Sequence, residues 1–282
     1  MLMINANFVQ DWNDFLQREM PALGLRHDPA LSAADNTLRY LNAKRRTPRQ
    51  APRIVHEARE LKIPPAQADN YAVLKKLIQD GGNLIPYLSR DIRNSLADQN
   101  DRLLNAWGIH HLHFRPDGAR DVLFAKVTDR EAFVLQSLPH GAGYPDTWVE
   151  TSLLEILHNN WPEVAGGRIT GTAGEVLTSS QRVALRRRNA NFATEMPDGT
   201  VYLGDGGLSA SGNCVFDIRE SDKIFADLAY WQKVIEDNEA NIREALGVPL
   251  PQELSIKLMV TPGPSWLYEP VSQRRLSLTF QP

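Results

Sequence analysis

The spacing of apolar residues changes partway along this chain, and the change limits the folds that are open to it. Between residues 7 and 100, apolar residues such as Phe8, Trp12 and Phe15 recur three or four positions apart, the period of a helix that buries one face. After residue 108, short segments of two-residue period alternate with helical segments. The sequence therefore predicts an α+β fold with a helical N-terminal domain, a small central antiparallel sheet and a C-terminal α+β portion.

Proline residues divide the N-terminal part into short helices. Pro48, Pro52 and the pair Pro64-Pro65 interrupt the helical pattern, because proline lacks a backbone N–H and clashes with the preceding turn. The short helices are expected over residues 52–61, 66–79 and 89–106. The expected domains are a helical domain over 1–100, a sheet with one helix over 101–165, and an α+β domain over 166–282.

The pattern beyond residue 108 predicts a hairpin and then further helices and strands. Strands are expected over 109–114, 122–127 and 132–138, with a polar turn at Thr128–Glu131. Thr178 or Ser179 is the expected N-cap of a helix, and Pro197-Asp198-Gly199 is a typical hairpin turn. The remaining expected elements are helices over 148–160 and 221–246 and strands over 254–260 and 275–280.

Composition narrows the class of protein. The chain has 282 residues, of which 42% are hydrophobic, so it is long and apolar enough to bury a core. No apolar run approaches the roughly 20 residues that cross a bilayer, and the first residues lack the pattern of a secretion signal. Cys214 is the only cysteine, which excludes an intramolecular disulfide and a cysteine-based zinc site. We expect a cytoplasmic protein with no membrane partner.

Histidines are concentrated in one part of the chain. Five of the seven lie within 49 positions, from His110 to His158. In an extended segment His111 and His113 share a face and His110 points to the other side, and His140 follows the hairpin. If His111, His113 and His140 converge, they suit general acid and base steps on a phosphodiester or a zinc ion with an open position. Structural, hydrogen-bonded histidines are the remaining interpretation.

Basic residues form two clusters although the net charge is -3: one lies between Arg39 and Lys62, and the other is Arg186-Arg187-Arg188. Between Arg39 and Lys62 there are eight basic and two acidic residues, a local charge of +6. Such clusters neutralise phosphates, and they also occur as solvated helix faces or at helix C-termini. The candidate nucleic-acid-binding residues are Arg45, Arg46, Arg49, Arg115, Arg120, Lys126, Arg186, Arg187 and Arg188.

The segment from Asp121 to Tyr144 resembles the central hairpin of RelE/ParE-type toxins: a strand, a short acidic turn, and an apolar strand that ends in His140 and is followed by Tyr144. The resemblance spans about residues 90–145. It implies cleavage of messenger RNA by basic, histidine and tyrosine side chains on a small sheet. The residues that it carries over are His140, Tyr144, Arg115, Arg120 and Lys126. Gly141 departs from the pattern, in which a basic residue often follows the histidine.

Segments 104–114 and 189–202 also resemble an uncharacterised bacterial protein group, which implies no activity. The leading hypothesis is a toxin-like endoribonuclease without a cofactor, in a toxin-antitoxin or anti-phage system. In it, His113 and His140 act as acid and base, His111 assists, and Arg115 binds phosphate. The expected partners are RNA and an antitoxin or another protein, and the oligomeric state is left open. The alternatives are a zinc-dependent hydrolase that uses the three histidines and a non-catalytic protein-binding or regulatory module.

Overall fold

The computed structural model describes residues 4–89, 101–174, 176–204, 206–250, 252–261 and 265–277. The α-helices are α1 (Phe8–Glu19), α2 (Ala33–Arg46), α3 (Ala68–Gln79), α4 (Arg102–Trp107), α5 (Ser152–Asn160), α6 (Ser179–Arg187), α7 (Val215–Asp237) and α8 (Glu239–Leu246). The strands are β1 (Ile4–Ala6), β2 (Ile54–Glu57), β3 (His110–His113), β4 (Asp121–Val127), β5 (Glu131–Pro139), β6 (Arg168–Ile169), β7 (Thr194–Glu195), β8 (Val201–Tyr202), β9 (Leu254–Met259), β10 (Trp266–Glu269) and β11 (Arg274–Ser277). The fold is α+β, as the sequence predicts. Within the described ranges, none of these helices combines the length and the apolar character that crossing a membrane requires.

The chain folds into two compact units, whereas the sequence predicts three consecutive domains. The first unit combines residues 1–41 with 218–282, and the second comprises residues 42–217. The ends of the chain join because β1 pairs in parallel with β9, with Ile4 opposite Leu254. The predicted boundaries near 100 and 165 both fall inside the second unit.

The first unit contains a four-stranded sheet in the order β1-β9-β10-β11 and the predicted helix at the start of the chain. In α1 the apolar residues spaced three to four apart are buried, and the Trp12 indole N–H donates to Thr37 Oγ1 at 2.7 Å. The sequence predicts one helix over 221–246, but the helix breaks at Asn238 between α7 and α8. The prediction also misses β10, which lies between the two expected closing strands.

The second unit contains the predicted hairpin within a sheet of order β2-β5-β4-β3. The β3–β4 and β4–β5 pairs are antiparallel, but β2 is parallel to β5, so the sheet is mixed. The predicted helix over 52–61 is wrong: the β-branched pair Ile54-Val55 lies in β2, and the Ala58 N–H extends the pairing to the Val134 carbonyl. The helix predicted over 66–79 is confirmed by α3. The helix predicted over 89–106 lies mostly outside the described residues.

Both faces of this mixed sheet are covered. On one side Phe124 and Leu135 join a buried cluster with Leu153 and Leu157 of α5. On the other side the sheet packs against α3, and the buried residues are Leu74, Ile78, Leu112, Leu123 and Val134. Leu112 of β3 packs into this second cluster, and β3 pairs with β4. These two contacts together fix the orientation of the β3 histidines.

A third, three-stranded sheet in the order β6-β8-β7 completes the second unit. The predicted turn at Pro197-Asp198-Gly199 connects β7 and β8. Thr178 is the N-cap of α6, and it forms a reciprocal capping box with Gln181, which confirms the predicted start of that helix.

Leu112→Ala should reduce the free energy of unfolding by about 2 to 5 kcal/mol, because it leaves a cavity under the strand that bears the histidines. Val73→Ala on α3 is the matched control, since Val73 is 60% exposed and should cost less than about 0.5 kcal/mol. Urea unfolding followed by circular dichroism measures both values. Equal losses would show that Leu112 does not support β3.

Candidate active site

Strand β3 separates its three histidines between two faces. His111 lies opposite Phe124 and His113 opposite Val122 in the pairing with β4. His110 points the other way, is 7% exposed, and has its Nε2 3.3 Å from the Arg45 carbonyl oxygen. Burial lowers the pKa of His110 to about 4, so this ring is neutral near pH 7. His110 is thus a structural histidine, and the other two share a face as the sequence predicts.

The rings of His111, His113 and His140 lie together. The ring centres of His113 and His140 are 5.1 Å apart, and those of His111 and His113 are 6.5 Å apart. The hairpin therefore brings histidines that are 27 positions apart in sequence into edge contact. This arrangement groups three imidazole rings at one end of the β4–β5 hairpin.

Trp148 packs against two of these rings. Its ring centre lies 4.9 Å from that of His111 and 5.9 Å from that of His140. Trp148 belongs to a 3₁₀ turn, Pro145–Val149, and Thr147 in the same turn donates to the Pro139 carbonyl at 2.8 Å. Sequence reasoning did not single out Trp148 as a site residue. The available signal was an indole a few residues beyond His140.

His140 is held in one tautomer by the backbone. Its Nδ1 lies 2.7 Å from the Arg120 carbonyl oxygen, which also accepts the His140 backbone N–H at 2.9 Å. A carbonyl oxygen only accepts hydrogen bonds, so Nδ1 carries the proton and Nε2 carries the lone pair of the neutral ring. The Arg120 guanidinium donates to the Tyr144 hydroxyl and lies 5.1 Å from the centre of the Tyr144 ring. Arg120 therefore contacts His140 through its carbonyl and Tyr144 through its guanidinium.

Asp101 was missed by the sequence reasoning and lies directly behind His111. Its Oδ1 accepts the backbone N–H of Leu104 at 3.0 Å, which makes Asp101 the N-cap of α4, and its Oδ2 is 3.4 Å from His111 Nδ1. Burial alone would raise the pKa of the Asp101 carboxyl, but the adjacent His111 ring and the hydrogen bond from the Leu104 N–H hold the pKa well below its usual value. The carboxylate is thus charged at neutral pH. An aspartate just before a helix was the signal in the sequence.

Arg186 supports the site from inside the protein. It is 3% exposed, donates to the Trp148 carbonyl, and places its guanidinium 4.2 Å from the centre of the Trp107 ring and 5.5 Å from that of Phe192. Burial lowers the pKa of Arg186 to about 9. The Nε and Nη2 atoms have no hydrogen-bond partner among the described residues. Such a side chain stabilises the turn that bears Trp148 and does not contact RNA from this position.

Two further basic candidates are engaged inside the fold. Arg45 forms a bidentate pair with Asp217 at 3.0 and 2.9 Å and also donates to Asn105. Arg46 is 5% exposed. The +6 cluster predicted from the sequence as a phosphate-binding surface is therefore partly interior, because charge counts along a chain do not report burial.

The remaining basic candidates lie at the surface. Arg115 is 51% exposed, and its Nε lies 3.1 Å from Asp117 Oδ1 in the loop between β3 and β4. Arg120 is also exposed, beside His140, and Lys126 is partly exposed on β4. The others in this group are Arg49, Arg187 and Arg188. Arg120 is linked to His140 through its backbone carbonyl, and its side chain contacts Tyr144.

The geometry gives no support to the zinc alternative. Among the residues that the structure describes, no three or more His, Cys, Asp or Glu side chains are grouped so as to hold a metal ion. The three rings meet edge to face, with planes 62° to 75° apart in the two contacting pairs.

Comparisons with family models, with curated proteins and with solved structures give no match for this chain. The resemblance of residues 121–144 to RelE/ParE-type toxins therefore stays a prediction.

The buried His110 should make the folded state sensitive to acid. Its folded pKa of about 4 lies below the ordinary value of 6.5, so between these values the unfolded chain binds a proton that the folded chain does not. Its contribution to the free energy of unfolding is complete above pH 6.5 and falls by at most about 3 kcal/mol as the pH drops to 4. His110→Gln should flatten this part of the pH dependence, because a glutamine amide also donates to the Arg45 carbonyl and does not titrate.

Urea unfolding at pH 7 and at pH 4.5 measures the difference between the original chain and the variant. Val73→Ala, at an exposed position and without loss of a titratable group, is the control and should leave the pH dependence as it is. If His110→Gln and the original chain lose stability equally on acidification, the buried neutral ring is not the cause.

Proposed function

We propose that this chain is an endoribonuclease that cleaves single-stranded RNA by histidine acid–base chemistry. The observation that carries the proposal is the 5.1 Å contact between the rings of His113 and His140, beside Arg120 and Tyr144. In the reaction one neutral imidazole removes the proton of a ribose 2'-hydroxyl, whose oxygen attacks the adjacent phosphorus. An imidazolium then protonates the departing 5'-oxygen, giving a 2',3'-cyclic phosphate and a 5'-hydroxyl.

His140 suits the role of base. Its Nδ1–H donates to the Arg120 carbonyl, so the Nε2 lone pair is available to a substrate proton. The same hydrogen bond strengthens when the ring becomes positively charged, which stabilises the imidazolium formed on proton uptake. His113, whose ring contacts that of His140, takes the role of acid.

The surroundings of the pair provide groups for the phosphate. Arg120 and Arg115 are exposed cations on the loop between β3 and β4, and Tyr144 adds a hydroxyl beside Arg120. Arginine binds phosphate oxygens through paired N–H groups, and charge develops on those oxygens in the transition state. The ring of His111 contacts that of His113, and through this contact His111 assists the acid–base pair.

The resemblance of residues 121–144 to RelE/ParE-type toxins supports a place for this activity in a toxin-antitoxin or anti-phage system. RNA is then the substrate, and an antitoxin or another protein is the partner that restrains it. The mechanism uses side chains alone and requires no cofactor.

His113→Ala and His140→Ala should each reduce RNA cleavage by about 100-fold or more, the usual contribution of a positioned acid or base. The measurement is cleavage of a mixed-sequence RNA oligonucleotide labelled at its 5' end, in buffer with a chelator, with the product ends identified by mass spectrometry. We expect 2',3'-cyclic phosphates, and no cleavage of the corresponding DNA, which lacks the 2'-hydroxyl that attacks.

His27→Ala is the matched control, since it removes an imidazole from the first unit and should leave cleavage unchanged. The proposal fails if the purified chain does not cleave RNA, or if both histidine variants cleave at the rate of the original chain. It also fails if the chain cleaves DNA at the same positions as RNA.

A further inference from the structure

We propose that Asp101 is a positioning residue of this site, which holds His111 in the tautomer with its proton on Nδ1. The catalytic consequence rests on the proposed function, whereas the tautomer does not. The two oxygens of the Asp101 carboxylate face different partners.

The first oxygen ties Asp101 to a buried helix. Asp101 Oδ1 accepts the Leu104 N–H at 3.0 Å, and Asp101 has the extended backbone of an N-cap residue. Helix α4 is anchored by Leu103, Leu104 and Trp107, each no more than 3% exposed. The carboxylate is therefore fixed in direction by a hydrogen bond to a helix that is itself packed in the core.

The second oxygen faces the imidazole. Asp101 Oδ2 lies 3.4 Å from His111 Nδ1, close enough for an electrostatic contact although too poorly aligned for a hydrogen bond, and both side chains are at most 13% exposed. A carboxylate charge favours a proton on the ring nitrogen that faces it, so we place the proton of His111 on Nδ1. His111 Nε2 is then the nitrogen with the lone pair.

The ring held in this way borders the proposed acid–base pair. His111 packs at 4.9 Å against Trp148, and its ring centre is 6.5 Å from that of His113. A change of tautomer would alter which edge of the His111 ring donates a hydrogen bond beside His113. A ring that turned over would also alter the packing of Trp148, which contacts His140 as well. Asp101 thus acts on the reaction through His111, without touching the substrate.

Asp101→Asn removes the negative charge of this side chain and keeps its role as the N-cap of α4. Asparagine is as good an N-cap as aspartate, and its Oδ1 has to face the Leu104 N–H, because the opposite orientation would place two donors against each other. The amide NH₂ then points at His111 Nδ1, where the carboxylate oxygen was. Since this NH₂ only donates, His111 must accept on Nδ1 and move its proton to Nε2.

The experiment compares the full chain with Asp101→Asn and with Asp101→Ser, which keeps the cap through its hydroxyl and removes the partner of His111. Two-dimensional ¹⁵N–¹H correlation through multiple bonds, on protein with ¹⁵N-labelled histidine, reports which ring nitrogen carries the proton. We expect Nδ1–H in the original chain, Nε2–H in Asp101→Asn, and a folded state in all three proteins, checked by circular dichroism. RNA cleavage should fall about tenfold or more in both variants, as expected for a histidine that loses its orienting carboxylate.

Asp198→Asn is the matched control. Asp198 also pairs with a histidine, with its Oδ2 3.2 Å from His158 Nε2, and it lies outside the proposed machinery. This variant should leave the His111 signals and RNA cleavage unchanged.

The outcomes separate this inference from the proposed function. An Nε2–H tautomer of His111 in the original chain, or the same tautomer in Asp101→Asn, overturns the inference whatever the RNA result. If the tautomer changes as expected but the original chain does not cleave RNA, the positioning of His111 stands and the proposed function fails. If the tautomer changes and Asp101→Asn cleaves RNA at the original rate, Asp101 has no part in catalysis.

Discussion

The register of β3 on β4 is the constraint on which the site depends. Leu112 lies opposite Leu123 and both are fully buried, while His111 and His113 point to the other face. Side chains alternate along a strand, so a slip of one residue would drive two imidazoles into the apolar cluster that includes Leu74 and would expose Leu112. The hydrophobic effect on one face of the strand therefore fixes the direction of the chemical groups on the other face.

Polar groups inside the second unit limit how the site can relax. Asp101 caps α4 and faces His111, and Arg186 holds the carbonyl of Trp148 while its guanidinium lies over an aromatic ring. Buried charges add little net stability, because their desolvation offsets much of their attraction, but removal of one partner leaves the other charge uncompensated. Asp101 and Arg186 would each lose a polar partner in an alternative packing. They therefore restrict the positions of the His111 and Trp148 rings.

The sequence was sufficient where the signal was local. Two-residue alternation predicted the hairpin and the shared face of His111 and His113, and turn chemistry predicted the connection between β7 and β8. It was insufficient where the partner is distant: β2 is four residues long and forms a strand because β5 is beside it, and β1 pairs with a strand about 250 positions away. The prediction of Arg46 and Arg186 as surface cations failed for a related reason, since local charge says nothing of which helix face the core covers.

The acceptors that face Nδ1 of His140 and of His111 could not be predicted from the sequence. Each acceptor belongs to a part of the chain that only the fold brings beside its histidine. His140 donates from Nδ1 to a backbone carbonyl, and His111 presents Nδ1 to a carboxylate. These acceptors come from different parts of the chain, the loop before β4 and the cap of α4, yet both leave Nε2 as the nitrogen with a lone pair. In the proposed mechanism, the rings on either side of His113 both keep a lone pair on Nε2, the nitrogen that accepts a proton.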